Sequence, residues 1–152
     1  MNKTRVLFLC TGNSARSQMA EAFLRQYAGW YFDVYSAGLQ PRGIHKYTIA
    51  VMREIGIDLS AKRSKPVDEF AGHMHFGYLI TVCSKAESDC PIFPGVSNRL
   101  YWPFEDPAAF EGSAEAKLAK FRQVRQQIDT KIREWLDAEH ISIREPEPPL
   151  LF

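Results

Sequence analysis

Cys10-Thr11-Gly12-Asn13-Ser14-Ala15-Arg16-Ser17 follows the apolar run Val6-Leu7-Phe8-Leu9 and leads into a helical pattern from Gln18 to Tyr27. The implied order is strand, tight turn, helix. Such a turn gathers successive backbone N–H groups at the positive end of a helix dipole, where a tetrahedral oxyanion is held. The amides of Thr11, Gly12, Asn13, Ser14, Ala15 and Arg16 form the expected cradle. A thiol that opens this turn is expected to ionise early, because helix N-terminal N–H groups and a nearby guanidinium stabilise the thiolate. Cys10 therefore reads as a nucleophile. Arg16 offers a planar fork of donors to two oxygens of the anion, and the Ser17 hydroxyl is placed to donate to the Cys10 sulfur. Gly12 and Asn13 are residue types that tolerate the positive φ expected of so short a loop. A lone cysteine at a strand end is more often a small buried hydrophobe. The spacing Cys-x5-Arg-Ser between strand and helix reverses that preference.

Around this stretch, 152 residues with 45% apolar content suffice for one domain and a sizeable core. The expected domain covers residues 1–140. The tail, 141–152, carries charges, prolines and an apolar end, and reads as either disordered or docked on a partner. The net charge of +1, with signs interspersed, leaves no basic stripe for nucleic acid and no polybasic segment for a membrane surface. No apolar run approaches a membrane span and no signal-peptide pattern opens the chain, so a cytoplasmic protein is expected. The three cysteines, Cys10, Cys83 and Cys90, are too few for a disulfide scaffold. In a reducing compartment they point to catalysis. His45, His73, His75 and His140 show no ligand spacing beyond the weak His73-x-His75, so no metal or other cofactor is expected.

Taken in order, Phe32 to Ser36 predicts a second strand closed by Ala37-Gly38. Lys46 to Ile55 predicts a helix, with Ile49, Met52 and Ile55 at spacing three and Gly56 as its C-terminal stop. Val67 to Ala71 suggests a short helix. Tyr78 to Val82 is an apolar, β-branched run of the kind found in buried parallel strands, and it ends on Cys83. The segment Ser84 to Pro94, carrying Cys90, reads as a loop that is polar and mobile between the two cysteines. Arg99 to Trp102 predicts a fourth strand, followed by Asp106-Pro107. From Ser113 to Ala138, apolar residues at spacings of three and four predict a long amphipathic helix. The fold class is α/β, a single-domain four-stranded parallel sheet flanked by helices. In such a sheet the ligand crevice lies beyond the carboxyl ends of the strands, so Cys10 and Cys83 are expected on one face.

Cys10 to Ser17 resembles the phosphate loop of the low-molecular-weight protein tyrosine phosphatases and of the arsenate reductases built on their fold. The resemblance implies that Asp106 is a general acid that protonates the leaving oxygen. Ala108-Ala109-Phe110 follows, without the paired tyrosines usual in the phosphatases, so the slot for a phosphotyrosine ring looks incomplete. Val82-Cys83-Ser84, Asp89-Cys90-Pro91-Ile92-Phe93-Pro94 and Trp102 to Pro107 are similar to the redox loop of thioredoxin-coupled arsenate reductases. This likeness covers roughly residues 4 to 136.

What it implies is a relay. Cys10 attacks arsenate, Cys83 attacks Cys10 with release of arsenite, and Cys90 attacks Cys83 to give a Cys83–Cys90 disulfide reduced by thioredoxin. Phosphate or sulfate would compete for the cradle, and weak phosphatase activity is expected. If Cys83 is merely a core thiol, the chain falls back to a phosphatase using Cys10, Arg16 and Asp106. A non-enzymatic anion-binding or redox-sensing module is a third reading. The pattern departs from the family in places. Ala15 replaces a cysteine frequent there, and Gly77 replaces an acidic residue common before the third strand. Lys65 stands where some reductases have an aspartate near a monovalent-cation site formed with Asn13, Glu21 and Ser36. The lysine ammonium is expected to substitute for that cation.

Overall fold

In the computed structural model, which describes residues 3–90 and 93–145, four parallel strands form one sheet. They are β1 (Thr4–Cys10), β2 (Phe32–Gly38), β3 (Phe76–Thr81) and β4 (Val96–Tyr101), in the order β2-β1-β3-β4. The helices are α1 (Arg16–Ala28), α2 (Lys46–Arg53), α3 (Ser84–Asp89) and α4 (Ala114–Ala138), with short 3-10 turns at Val67–Glu69 and Pro107–Ala109.

The chain steps from β1 outward to β2 and then returns to place β3 on the other side of β1. The reversal of strand order therefore lies between β1 and β3, and ligands of open parallel sheets bind at the carboxyl ends beside such a reversal. Leu9 pairs with Thr81, and the Val82 amide donates to the Leu9 carbonyl at 2.9 Å. Cys10 and Cys83 thus leave adjacent strands at the same rim.

Val6 to Leu9 are fully buried, as their uninterrupted apolar run requires of a central parallel strand. Met19, Phe23, Leu24 and Tyr27 bury one stripe of α1, and Phe121, Val124, Ile128, Ile132 and Trp135 do so for α4. Trp135 stacks on Phe32 at 5.5 Å and meets Tyr78 and Trp102 edge-on, which seats α4 on the sheet. Arg122 and Arg125 of α4 both bind Glu54, at the end of α2. Beyond α2, Gly56 takes φ 83° while its amide donates to Arg53 and that of Ile57 donates to Met52, the paired closing bonds of a glycine stop.

Two expectations need correction. The segment between Cys83 and Cys90 is not a loop over Ser84 to Asp89 but the helix α3. Gly12 does not adopt positive φ; in the phosphate loop only Asn13 does, at 48°. What Gly12 provides instead is room, since a Cβ there would stand 3.1 Å from the Arg42 side chain. Gly77 also gains an explanation: the Thr4 methyl occupies the space a side chain at 77 would need. Of the tail, residues 141–145 lie against their own domain, with the Arg144 amide donating to Tyr27 at 2.8 Å and its guanidinium 3.9 Å from the Trp30 ring. Residues 146–152 fall outside the described part, as do Pro91 and Ile92.

Candidate active site

β1 delivers Cys10 to the rim, and α1 begins at Arg16, so only five residues make the turn. Ala15 occupies the N-cap and makes no side-chain capping bond. A capping side chain would occupy one of the first-turn N–H groups; alanine takes none of them. Gly38, paired with Cys10 on β2, backs this turn closely. A Cβ at 38 would lie 2.7 Å from the Asn13 nitrogen and 2.8 Å from the Thr11 carbonyl oxygen.

The Cys10 sulfur lies 2.8 Å from the Ser17 hydroxyl. Asn13, fully buried, fixes the direction of that bond. Its amide donates to Ser17 Oγ at 2.8 Å and to Ser36 Oγ at 3.0 Å, and Ser36 in turn donates to Glu21 Oε1 at 2.8 Å. With its oxygen accepting from Asn13, Ser17 has its own proton for Cys10. Every donor in the chain then runs outward from Asn13, to a sulfur at one end and a carboxylate at the other. The Asn13 side-chain oxygen accepts from Gln18 and from the Lys65 amide, at 3.0 and 2.9 Å, so the orientation of its amide is set by both ends.

Asp106 approaches from the loop after β4. Its Oδ1 caps the following 3-10 turn by accepting from the Ala108 amide at 3.0 Å, and its Oδ2 is 3.7 Å from Arg16 Nη2. Arg16 also donates to the Phe104 carbonyl at 3.1 Å. The guanidinium is thereby held between the loop and the carboxylate. A small pocket is lined by Cys10, Thr11, Gly12, Ser14, Ala15, Arg16, Arg42, Asp106 and Ala108. Arg42 is a second cation at this site that the sequence did not announce: it lies on a connection with no motif of its own. The side chain facing the mouth from the Asp106 loop is Ala108, and among the described residues no aromatic ring joins the lining. A larger cleft, about 530 Å³, lies at the opposite, amino-terminal ends of the strands and includes Arg5, Tyr31 and His75. It holds no cysteine, and its Ser97–His75 pair, 3.0 Å apart, lies at the end of the sheet remote from the cradle, so the thiol chemistry belongs to the smaller pocket.

Cys83 is buried, and its sulfur lies 3.4 Å from the Thr11 hydroxyl, on the residue that follows Cys10. The same sulfur accepts from the Ala86 amide at 3.3 Å, capping α3. Cys90 follows the last turn of α3 and is half-buried; burial pushes its thiol up, with Arg99 lowering and Glu87 raising it to smaller extents. All three cysteines are free. Among the described residues no group of three His, Cys, Asp or Glu side chains is arranged to hold a metal ion, and no helix is long and apolar enough to cross a membrane.

A nucleophile at the mouth of a strand-loop-helix cradle, with an arginine inside it and a carboxylate above it, defines a protein that handles tetrahedral oxyanions. Residues 5–145 match the low molecular weight phosphotyrosine protein phosphatase family, to which this chain belongs. Within that family it is 43% identical over 133 residues to an arsenate reductase of Halalkalibacterium halodurans, covering 88% of this chain and 95% of the relative. A solved arsenate reductase in the phosphate-binding state superposes with a TM-score of 0.72 at 29% identity, covering 89% of this chain and 98% of that one. A thioredoxin-dependent arsenate reductase of Corynebacterium glutamicum gives 0.63 at 30% identity, covering 91% and 62% respectively.

Proposed function

We propose that this protein reduces arsenate to arsenite in the cytoplasm through a relay of three thiols and is recharged by thioredoxin. The observation that carries this reading is the Cys83 sulfur, 3.4 Å from the hydroxyl next to Cys10 across the crevice between β1 and β3. Hydrolysis has no use for a second thiol there; a two-electron reduction does.

In the proposed sequence arsenate sits on the amides of the loop, with its charge met by Arg16. The Cys10 thiolate displaces one oxygen, which leaves as water after Asp106 protonates it. Cys83 then attacks the Cys10 sulfur. The sulfur–arsenic electron pair goes to arsenic, which departs as arsenite two electrons richer, and the two thiols that supplied those electrons are left joined as a Cys10–Cys83 disulfide. Cys90 attacks Cys83, Cys10 leaves as thiolate, and the Cys83–Cys90 disulfide is reduced by thioredoxin. The similarity to a thioredoxin-dependent relative supports that choice of reductant.

Replacing Cys83 or Cys90 by serine tests the relay. Thioredoxin-dependent arsenate turnover should vanish in both, while hydrolysis of an aryl phosphate through Cys10, Arg16 and Asp106 survives at a low rate. Arsenate turnover that persists in both variants would overturn the relay and leave the hydrolase.

A further inference from the structure

A helix as short as α3, six residues, is unstable on its own and is held by what it touches. Besides the Cys83 cap and the fully buried Ala86, its tie to the sheet is Glu87. Thr81 of β3 donates its hydroxyl to the Glu87 carboxylate. Arg99 of β4 donates through Nη2 to the Glu87 carbonyl at 3.2 Å and lies 3.4 Å from Oε2 of the same residue. That carbonyl belongs to the last turn, where no intrahelical donor reaches it, so the guanidinium closes the helix at its negative end. Arg99 contacts both the backbone and the side chain of Glu87, and the contact to the carbonyl depends on the wound last turn of α3.

Three residues further on is Cys90, on which Arg99 and Glu87 act with opposite sign. Resting on the three-thiol reading above, we propose that Arg99 is a positioning residue for the second disulfide transfer: it stands beside Cys90 but is engaged by Glu87 while α3 is wound, and it is left to the Cys90 sulfur alone when α3 opens. β4 is paired with β3 through Leu79–Arg99 and Thr81–Tyr101, so the backbone that carries the guanidinium keeps its place while the helix changes. Unwinding takes Glu87 away and leaves the positive charge for the thiolate. Cys90 gives its proton to water and attacks Cys83; the Cys83–Cys90 bond forms, the Cys10–Cys83 bond breaks, and Cys10 departs as thiolate with no net change in electrons.

The test is a single turnover of the reduced full chain with excess arsenate and no external reductant, quenched with an alkylating agent, the disulfides being assigned by mass spectrometry over a range of pH. Glu87→Gln should speed formation of the Cys83–Cys90 bridge at least threefold. Arg99→Gln should slow it at least threefold at neutral pH and move its rise to higher pH. Arg99→Lys, which keeps the charge, should stay within twofold of the wild type. If Arg99→Gln speeds the bridge as Glu87→Gln does, or Arg99→Lys is as slow as Arg99→Gln, the residue is at most a clamp and the proposal falls. A wild-type chain that forms no Cys83–Cys90 bridge overturns the three-thiol reading and this proposal with it.

Discussion

Cys83 and Cys90 bind the same residue from opposite ends of one helix: the Cys83 sulfur accepts from the Ala86 amide at 3.3 Å, and the Cys90 amide donates to the Ala86 carbonyl at 3.0 Å. Seven residues of helical rise separate their Cα atoms by about 10 Å. A disulfide needs about 7 Å or less. Bridging them therefore requires α3 to unwind, and the amides of Glu87 and Cys90, bonded to Cys83 and Ala86 in the reduced protein, lose their partners. Hydrogen exchange at these two amides should accelerate at least tenfold after oxidation by arsenate. Unchanged protection would exclude the bridge.

Asp106 presents one oxygen to the backbone and keeps the other, Oδ2, towards Arg16 and the pocket. Asp106→Asn retains the cap but has no proton to give. The rate of aryl phosphate hydrolysis should fall by about two orders of magnitude, in line with the loss of a general acid. The deficit should shrink with phenols of low pKa, which leave unaided; an equal deficit across a leaving-group series would assign the carboxylate to holding Arg16.

Lys65 Nζ is 3.9 Å from Glu21 Oε1 and donates to the Arg63 carbonyl at 3.1 Å, between oxygens of the kind that bind an alkali cation. Burial pushes its pKa down, and Glu21 draws it back up. Activity in sodium and potassium salts of equal ionic strength should agree within twofold. Lys65→Ala should lower activity and make it depend on the monovalent cation supplied, because Ser36 and Glu21 anchor the far end of the chain that orients Ser17 on Cys10. A potassium requirement in the wild type would disprove the substitution of lysine for a cation.

The bonds from Arg122 and Arg125 hold the Glu54 carboxyl at about 2, below its ordinary 4.5. Because the folded value is the lower one, the tie between α2 and α4 contributes fully above pH 4.5 and is lost as pH falls towards 2. The group is partly exposed, so about 1 kcal/mol is expected after solvent screening. Glu54→Gln should melt roughly 2–4 °C below the wild type at pH 7, and the gap should narrow between pH 4.5 and 2. A gap independent of pH would place the effect in packing.

The first strand, phosphate loop and first helix were legible because periodicity changes sharply on either side of Cys10-x5-Arg16-Ser17. So was the common rim of Cys10 and Cys83, which follows from two buried strands, one ending on Cys10 and the other two residues short of Cys83. α3 was not legible. Ser84 to Asp89 has a single apolar residue, Ala86, and its helicity comes from a sulfur cap and from Thr81 and Arg99, contacts that no local pattern records. Arg42 escaped for a related reason: it reaches the pocket from the connection after β2, and only the folded loop shows where it ends. The sequence places Asn13 in the turn, in the anion cradle and near Glu21 and Ser36, but its part in sending donors towards Ser17 and Ser36 shows only with Gln18 and Lys65 folded around it.

The pairing of Leu9 with Thr81 has one more bearing. Where the two thiol-bearing segments begin is dictated by a hydrogen-bonded ladder in the least yielding part of the molecule. A rewritten surface loop would alter what surrounds the two sulfurs, but not the stations from which their segments set out. An engineer wishing to retune the thiols has α3 free to redesign, with the strand register beneath them left untouched.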